Sequence, residues 1–140
     1  MFLHPMLKAF DAPSREECVA ERPVSNTPLA ALVLLNDPTF VEAARSLAQQ
    51  SGSEPRPPEI RLRWIFDQVL GRNPDPVEAQ ILLQLWEAER EAFSVRPSAA
   101  AQLLRVGALP PVPEGPTPEL AAWTSVCRAV LNLHEWLVRY

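Results

Sequence analysis

Ser25-Asn26-Thr27-Pro28-Leu29-Ala30-Ala31-Leu32-Val33-Leu34-Leu35-Asn36-Asp37-Pro38 holds the densest apolar run in the chain, and a polar residue followed by proline marks each end. Proline has no backbone N–H to donate and disfavours helix in the residue before it, yet it suits the first position of a helix. Thr27 and Asp37 therefore read as N-caps, each accepting a hydrogen bond from the free N–H groups of the turn that follows. The spacing predicts one helix over 28–36 and a second starting at once from Pro38, at an angle to the first. Leu29, Leu32, Val33, Leu34 and Leu35 make the first helix apolar nearly all round, which predicts burial on several sides with the other helices packed around it.

The same punctuation recurs in both directions. The chain has sixteen prolines and only four glycines, and the prolines fall mainly where helices should begin. Upstream, residues 1–13 read as an N-terminal arm, and Ser14 with Glu17 forms a capping box that opens a short helix ended by Pro23. Downstream, a helix over 38–50 places Phe40, Ala43, Ala44, Leu47 and Ala48 on one face and Glu42, Arg45, Gln49 and Gln50 off it. Residues 53–58 are a Pro-rich linker. Glu59 to Leu70 is helical with Leu62, Ile65, Phe66, Val69 and Leu70 inward, and Gly71 is its C-cap. Asp75 caps a long amphipathic helix over 76–93, with a stripe of Ile81, Leu82, Leu85, Trp86 and Phe93 opposite Glu87, Glu89, Arg90 and Glu91.

Pro97 opens a short helix through Leu104 that ends at Gly107. Repeated proline excludes regular helix and inner strand from 107–116, a second Pro-rich linker that reads as an extended spacer or a docking ligand for an aromatic groove. Pro118 opens the last helix, which should reach toward Val138 with Leu120, Trp123, Val126, Cys127, Val130, Leu133 and Leu137 buried. No segment of useful length has the period of a strand. The expected fold is all-α, an irregular bundle of six or seven helices joined by Pro-rich turns, forming one domain over 1–140.

Composition narrows function by exclusion. A net charge of −4 offers no basic excess for a phosphate backbone, so nucleic acid is not an expected partner. Arg56, Arg61, Arg63 and Arg72 cluster, and read as a solvated helix face. No run approaches the roughly 18 apolar residues of a membrane span, and Met1 to Lys8 is too short and too broken by proline for a signal peptide. Cys18 and Cys127 lack metal or haem-attachment spacing and read as small apolar core residues, with a disulfide between them left open.

Residue chemistry assigns no catalytic residue. The two histidines, His4 and His134, have no partner at zinc-ligand spacing, no glycine-rich phosphate loop occurs, and no nucleophile-elbow sequence frames a serine. What remains is a scattered polar set: Asp11, Arg15, Glu16, Arg22, Asn26, Asn36, Asp37 and Asn132. On one reading these residues cap helices and tie the arm to the last helix. Asp11 then pairs with Arg15, Asn26 and Asp37 satisfy helix-end donors, and Asn132, which interrupts the last apolar stripe, needs a partner if buried. On the other they line a polar pocket, in which Asp11, Glu16 and Asp37 are the acids that could act as a hydrolytic pair.

Phe10-Asp11-Ala12-Pro13-Ser14-Arg15-Glu16, Arg22, Ser25 to Leu29 and Asn36-Asp37-Pro38-Thr39-Phe40-Val41-Glu42-Ala43-Ala44-Arg45 together resemble the PSD-one domain family, the domain of unknown function fifteen-fifty-three of large planctomycete proteins. Leu70-Gly71-Arg72-Asn73-Pro74, Ala122-Trp123 and Asn132-Leu133-His134-Glu135 continue the likeness over nearly the whole chain. The resemblance implies the C-terminal portion of a larger, usually exported protein, lying downstream of a second domain of unknown function. Many relatives carry a separate cytochrome-c-like haem domain. Its attachment motif is missing here, so no cofactor is expected in this chain. Ala30 and His134 stand where the family more often has Gln and Asn or Asp, which would alter any pocket they line. The resulting expectation is a non-catalytic helical packing and interaction module whose partner is the preceding domain or another protein. The alternative is part of an enzyme or glycan-binding protein in extracellular polysaccharide handling.

Overall fold

Proline occupies the first position of all six helices that the computed structural model describes, within residues 28–110 and 117–133. They are α1 (Pro28–Asn36), α2 (Pro38–Ser51), α3 (Pro58–Leu70), α4 (Pro76–Val95), α5 (Pro97–Leu104) and α6 (Pro118–Leu131). No strand occurs among the described residues, and the fold is all-α. The arm, the helix expected after Ser14, Cys18, both histidines and most of the second Pro-rich linker lie outside the described residues.

Three of the helix starts carry side-chain caps. Asp37 accepts from Thr39 N at 2.9 Å, and Thr117 Oγ1 accepts from Leu120 N at 3.1 Å. Asp75 accepts from Val77 N and Glu78 N at 2.8 and 2.9 Å, while Glu78 reaches back to Asp75 N at 2.9 Å to complete a capping box. At the far end of α3, Gly71 takes the left-handed conformation (φ 70°) that lets its N–H return to Phe66 O and Asp67 O.

The centre of the bundle is α6, not α1. Each of the other five described helices touches α6, with α2 and α4 making the most extensive contact. Eight of its fourteen residues are buried: Ala121, Ala122, Trp123, Thr124, Val126, Cys127, Val130 and Leu131. Mostly small side chains let neighbours close on several sides, and Trp123 fills the space between them. By contrast α1, nine residues long, buries Leu34 but leaves Leu32 55% exposed. At about 1.5 Å rise per residue it is too short for five helices to pack along. Nor does α6 reach Val138. It stops at Leu131, where Asn132 N donates to Arg128 O and Ala129 O and closes the last turn.

Two other faces are rotated from the expected ones. On α2 the buried set is Val41, Ala44, Arg45, Ala48 and Ser51, so Ala43 is exposed and Arg45 turns inward. On α4 Ile81 points outward, 59% exposed, while Trp86 is buried and Leu82, Leu85 and Phe93 pack against the core. The main core joins Ala44 and Ala48 of α2, Leu62, Ile65 and Phe66 of α3 and Trp86 of α4 to the inward residues of α6. Trp86 and Trp123 meet at its middle, ring centroids 5.5 Å apart and tilted by 33°. A smaller cluster of Ala100, Leu104 and Ala121 seats α5 on α6. Cys127 is a free thiol in the main core, and burial pushes it up to about 12.

Truncating Trp123 to alanine removes the largest fully buried side chain in the described residues. Urea unfolding should show a loss of about 3–5 kcal/mol, a large share of the roughly 5–15 kcal/mol that holds an ordinary domain folded.

Candidate functional site

A helix ends with four carbonyls that lack an intrahelical partner, and a cation there also offsets the negative end of the helix dipole. None of α1, α2 and α5 has a basic residue in its own last turn. In each case an arginine from another element supplies the donor. Arg128 of α6 donates through Nε (3.1 Å) and Nη2 to Leu35 O at the end of α1. Arg61 of α3 donates through Nη2 to Ala48 O of α2 and through Nε to Ser51 Oγ, both at 2.8 Å. Arg45 of α2 donates through Nη1 to Leu104 O at the end of α5, at 2.5 Å, and through Nη2 to Leu109 O at 3.2 Å.

The surroundings of the three differ. Arg61 lies over the Trp123 ring, 4.5 Å from its centroid, and its Nη1 stands 3.7 Å from Glu119 Oε1. Glu119 in turn accepts from Trp123 Nε1 at 2.7 Å. Burial lowers the Arg61 pKa, and the Glu119 charge opposes that shift. Burial likewise lowers the Arg128 pKa, against the charge of Glu89. Arg45 is the most enclosed, 1% exposed, and its Nε has no hydrogen-bond partner. One turn earlier on α2, Glu42 Oε2 accepts from Ala108 N and, at 2.9 Å, from Leu109 N. Glu42 and Arg45 thus hold the N–H groups and the carbonyls of the same loop.

Gly107 permits that grip. Its φ of 105° is unfavourable for any residue with a Cβ, and a Cβ there would collide with the Glu42 side chain. Gly52 gives room in a milder way, since a Cβ would come 2.9 Å from Arg61 Nη2.

Of the polar set singled out in the sequence, three residues are described. Asp37 is the N-cap of α2, and Asn36 donates through Nδ2 to Leu32 O at 3.0 Å. Asn132 is the C-cap of α6, and its Oδ1 is buried without a hydrogen-bond partner. Asn36 and Asp37 share the corner between α1 and α2, and no hydrogen bond described joins Asn132 to either. Asp11, Arg15, Glu16, Arg22 and Asn26 lie outside the described residues.

The arginines read as a solvated face are corrected, except for Arg63, which is exposed. Arg56 bonds Glu54 at 2.6 Å and lies over Trp64, and Arg61 is one of the three helix-end donors. Arg72 grips both oxygens of Glu78 at 2.8 Å and lies over Phe66. Reading by polarity alone missed Glu42, Arg45 and Arg128. The available signal for Arg45 was its position one turn from both Val41 and Ala48 on the inner face of α2.

Among the described residues no group of three or more His, Cys, Asp or Glu side chains could hold a metal ion, and no helix is long and apolar enough to cross a membrane. The outer side of α4 carries a concavity of about 810 Å³ lined by Gln84, Glu87, Ala88, Arg90, Glu91 and Ser94.

The family described as PSD1, protein of unknown function (DUF1553), has a model that matches residues 1–86. The chain belongs to this family. No curated protein and no solved structure matches the chain. The PSD1 match covers α1 to α3 and ends within α4, so the helix on which those three pack lies beyond the matched residues.

Two measurements test this geometry. Gly107→Ala should cost at least as much as Glu42→Ala, about 1–3 kcal/mol in chemical unfolding, because it strains the backbone and displaces the carboxylate from its two donors. For Glu78, the hydrogen bonds from Arg72 and then from the Asp75 backbone outweigh partial burial and hold the carboxyl at about 2, below its ordinary 4.5. A depressed folded-state pKa gives stability that is complete above the ordinary value and is lost as pH falls toward the folded one. Melting followed between pH 5 and 2 should show that loss, and Glu78→Gln should remove this part of the slope.

Proposed function

We propose that the chain is a non-catalytic helical packing and interaction module, the C-terminal part of a larger exported protein of planctomycete type, and that residues 1–140 fold as one unit. The observation that carries this reading is the destination of its buried and half-buried polar groups. Arg45, Arg61, Arg128 and Glu42 each meet backbone groups of a neighbouring element, so the polar chemistry of the described interior joins helices. The position of α6 supports the single unit, because the helices of the family segment close on a helix outside that segment. Asp37 and Asn36 serve local structure at the α1–α2 corner, each bonding the backbone of its own helix end. On this reading Asp11, Arg15, Glu16, Arg22 and Asn26 tie the arm to the bundle, and the natural partner is the preceding domain of the parent protein or a separate protein.

Thermal melting by circular dichroism, with the solution mass measured alongside, tests the reading on residues 1–140 and on residues 1–86. The full chain should melt cooperatively and the shorter piece should not, since it lacks Trp123, Val126, Cys127 and Val130 from the core. A cooperative, native-like melt of 1–86 alone would overturn the single unit. Turnover of a polysaccharide by the full chain would overturn the non-catalytic assignment.

A further inference from the structure

The twenty residues of α4 present a second row on the side away from Trp86 and Phe93. Val77, Ile81, Gln84, Ala88, Glu91 and Val95 follow one another at alternating steps of four and three, and all six are exposed. Three of the six large apolar side chains exposed among the described residues lie on this row: Val77 (64%), Ile81 (59%) and Val95 (77%). Alternating steps of this kind make the seam on which one helix receives another. Near its middle, Glu87 and Glu91 stand one turn apart beside Ala88, at the concavity. No ion pair described engages either, and the nearby Arg90 guanidinium is turned over the Trp86 ring, 4.6 Å from its centroid.

We propose that the outer face of α4 is a docking seam for a cationic amphipathic helix. Its apolar residues would cover Val77, Ile81 and Val95, and a lysine or arginine would enter the concavity between Glu87 and Glu91. This rests on the interaction-module reading and names the partner's chemistry. Charge decides against a second copy as occupant. Antiparallel pairing with Val77 opposite Val95 brings Glu87 beside its own counterpart, and like charges at that spacing repel.

The test uses the full chain and two labelled synthetic peptides matched to the length of α4. Each carries a leucine row at alternating three and four spacing, flanked by lysines in one and by glutamates in the other. Fluorescence anisotropy at low salt should show binding of the lysine peptide only. Ile81→Asp should abolish it without lowering the melting temperature, since the side chain is largely solvated. Glu87→Gln with Glu91→Gln should weaken it by roughly tenfold, the scale of two exposed ion pairs, and added salt should do the same. Equal binding of both peptides, binding indifferent to Ile81→Asp, or a concentration-dependent doubling of mass abolished by Ile81→Asp would each overturn the proposal. A cooperatively folding chain that binds neither peptide overturns this partner and leaves the module reading standing. A chain that does not melt cooperatively takes both down.

Discussion

Arginine at the end of someone else's helix is the contact on which this architecture depends. Short helices bring many unpaired carbonyls into a small volume, and a buried carbonyl without a donor costs on the order of 1–3 kcal/mol. Here α1, α2 and α5 carry no basic residue in the last turn, and each receives a guanidinium from elsewhere in the chain. The fork geometry matters as much as the charge. Arg45 spans Leu104 O and Leu109 O, and Arg61 spans Ala48 O and Ser51 Oγ. Lysine presents a compact ammonium on a flexible stem and would not reproduce either pair of contacts.

Those polar joints and the apolar core meet on the same helices. Trp123 packs against Trp86 within the core and carries the Arg61 guanidinium over its ring, while its indole N–H is held by Glu119. One side chain therefore joins α3, α4 and α6. The small residues of α6 let α2 and α4 pack along it, and α1 also lies against α6, where Arg128 donates to Leu35 O.

Helix starts among the described residues were readable from the chain because prolines and caps act locally, whereas the end of α6 at Leu131 was not, since its apolar stripe runs on past the last turn. A helix start at Pro38 or Pro76 depends on residues within one turn of it, and Gly71 ends α3 by its own backbone freedom. Which helix lies at the centre depends on packing between distant segments, and apolar density was a poor guide to it. The Leu-rich α1 looked central, yet α6 holds that place through alanine, cysteine and valine. Arg45 and Arg61 were misread for a related reason. Polarity sends an arginine outward, whereas a carbonyl waiting at the end of a neighbouring helix draws it in, and that carbonyl is invisible until the helices are placed. Of the candidate polar set, Asp37 was readable because an N-cap is local. The pocket reading concerns distant residues whose grouping local sequence does not determine.

The place of α6 in chain order also bears on how the protein is made. It follows every other described helix, so α1, α2 and α3 leave the ribosome with the faces that close on it still bare. At typical rates of synthesis the interval between the end of α2 and the end of α6 is on the order of 10 s. Over that time the nascent chain displays apolar helix surface with no native partner, and its main core closes only when the last of these helices has emerged. Until Pro118 and the residues after it are made, those faces meet only one another and solvent.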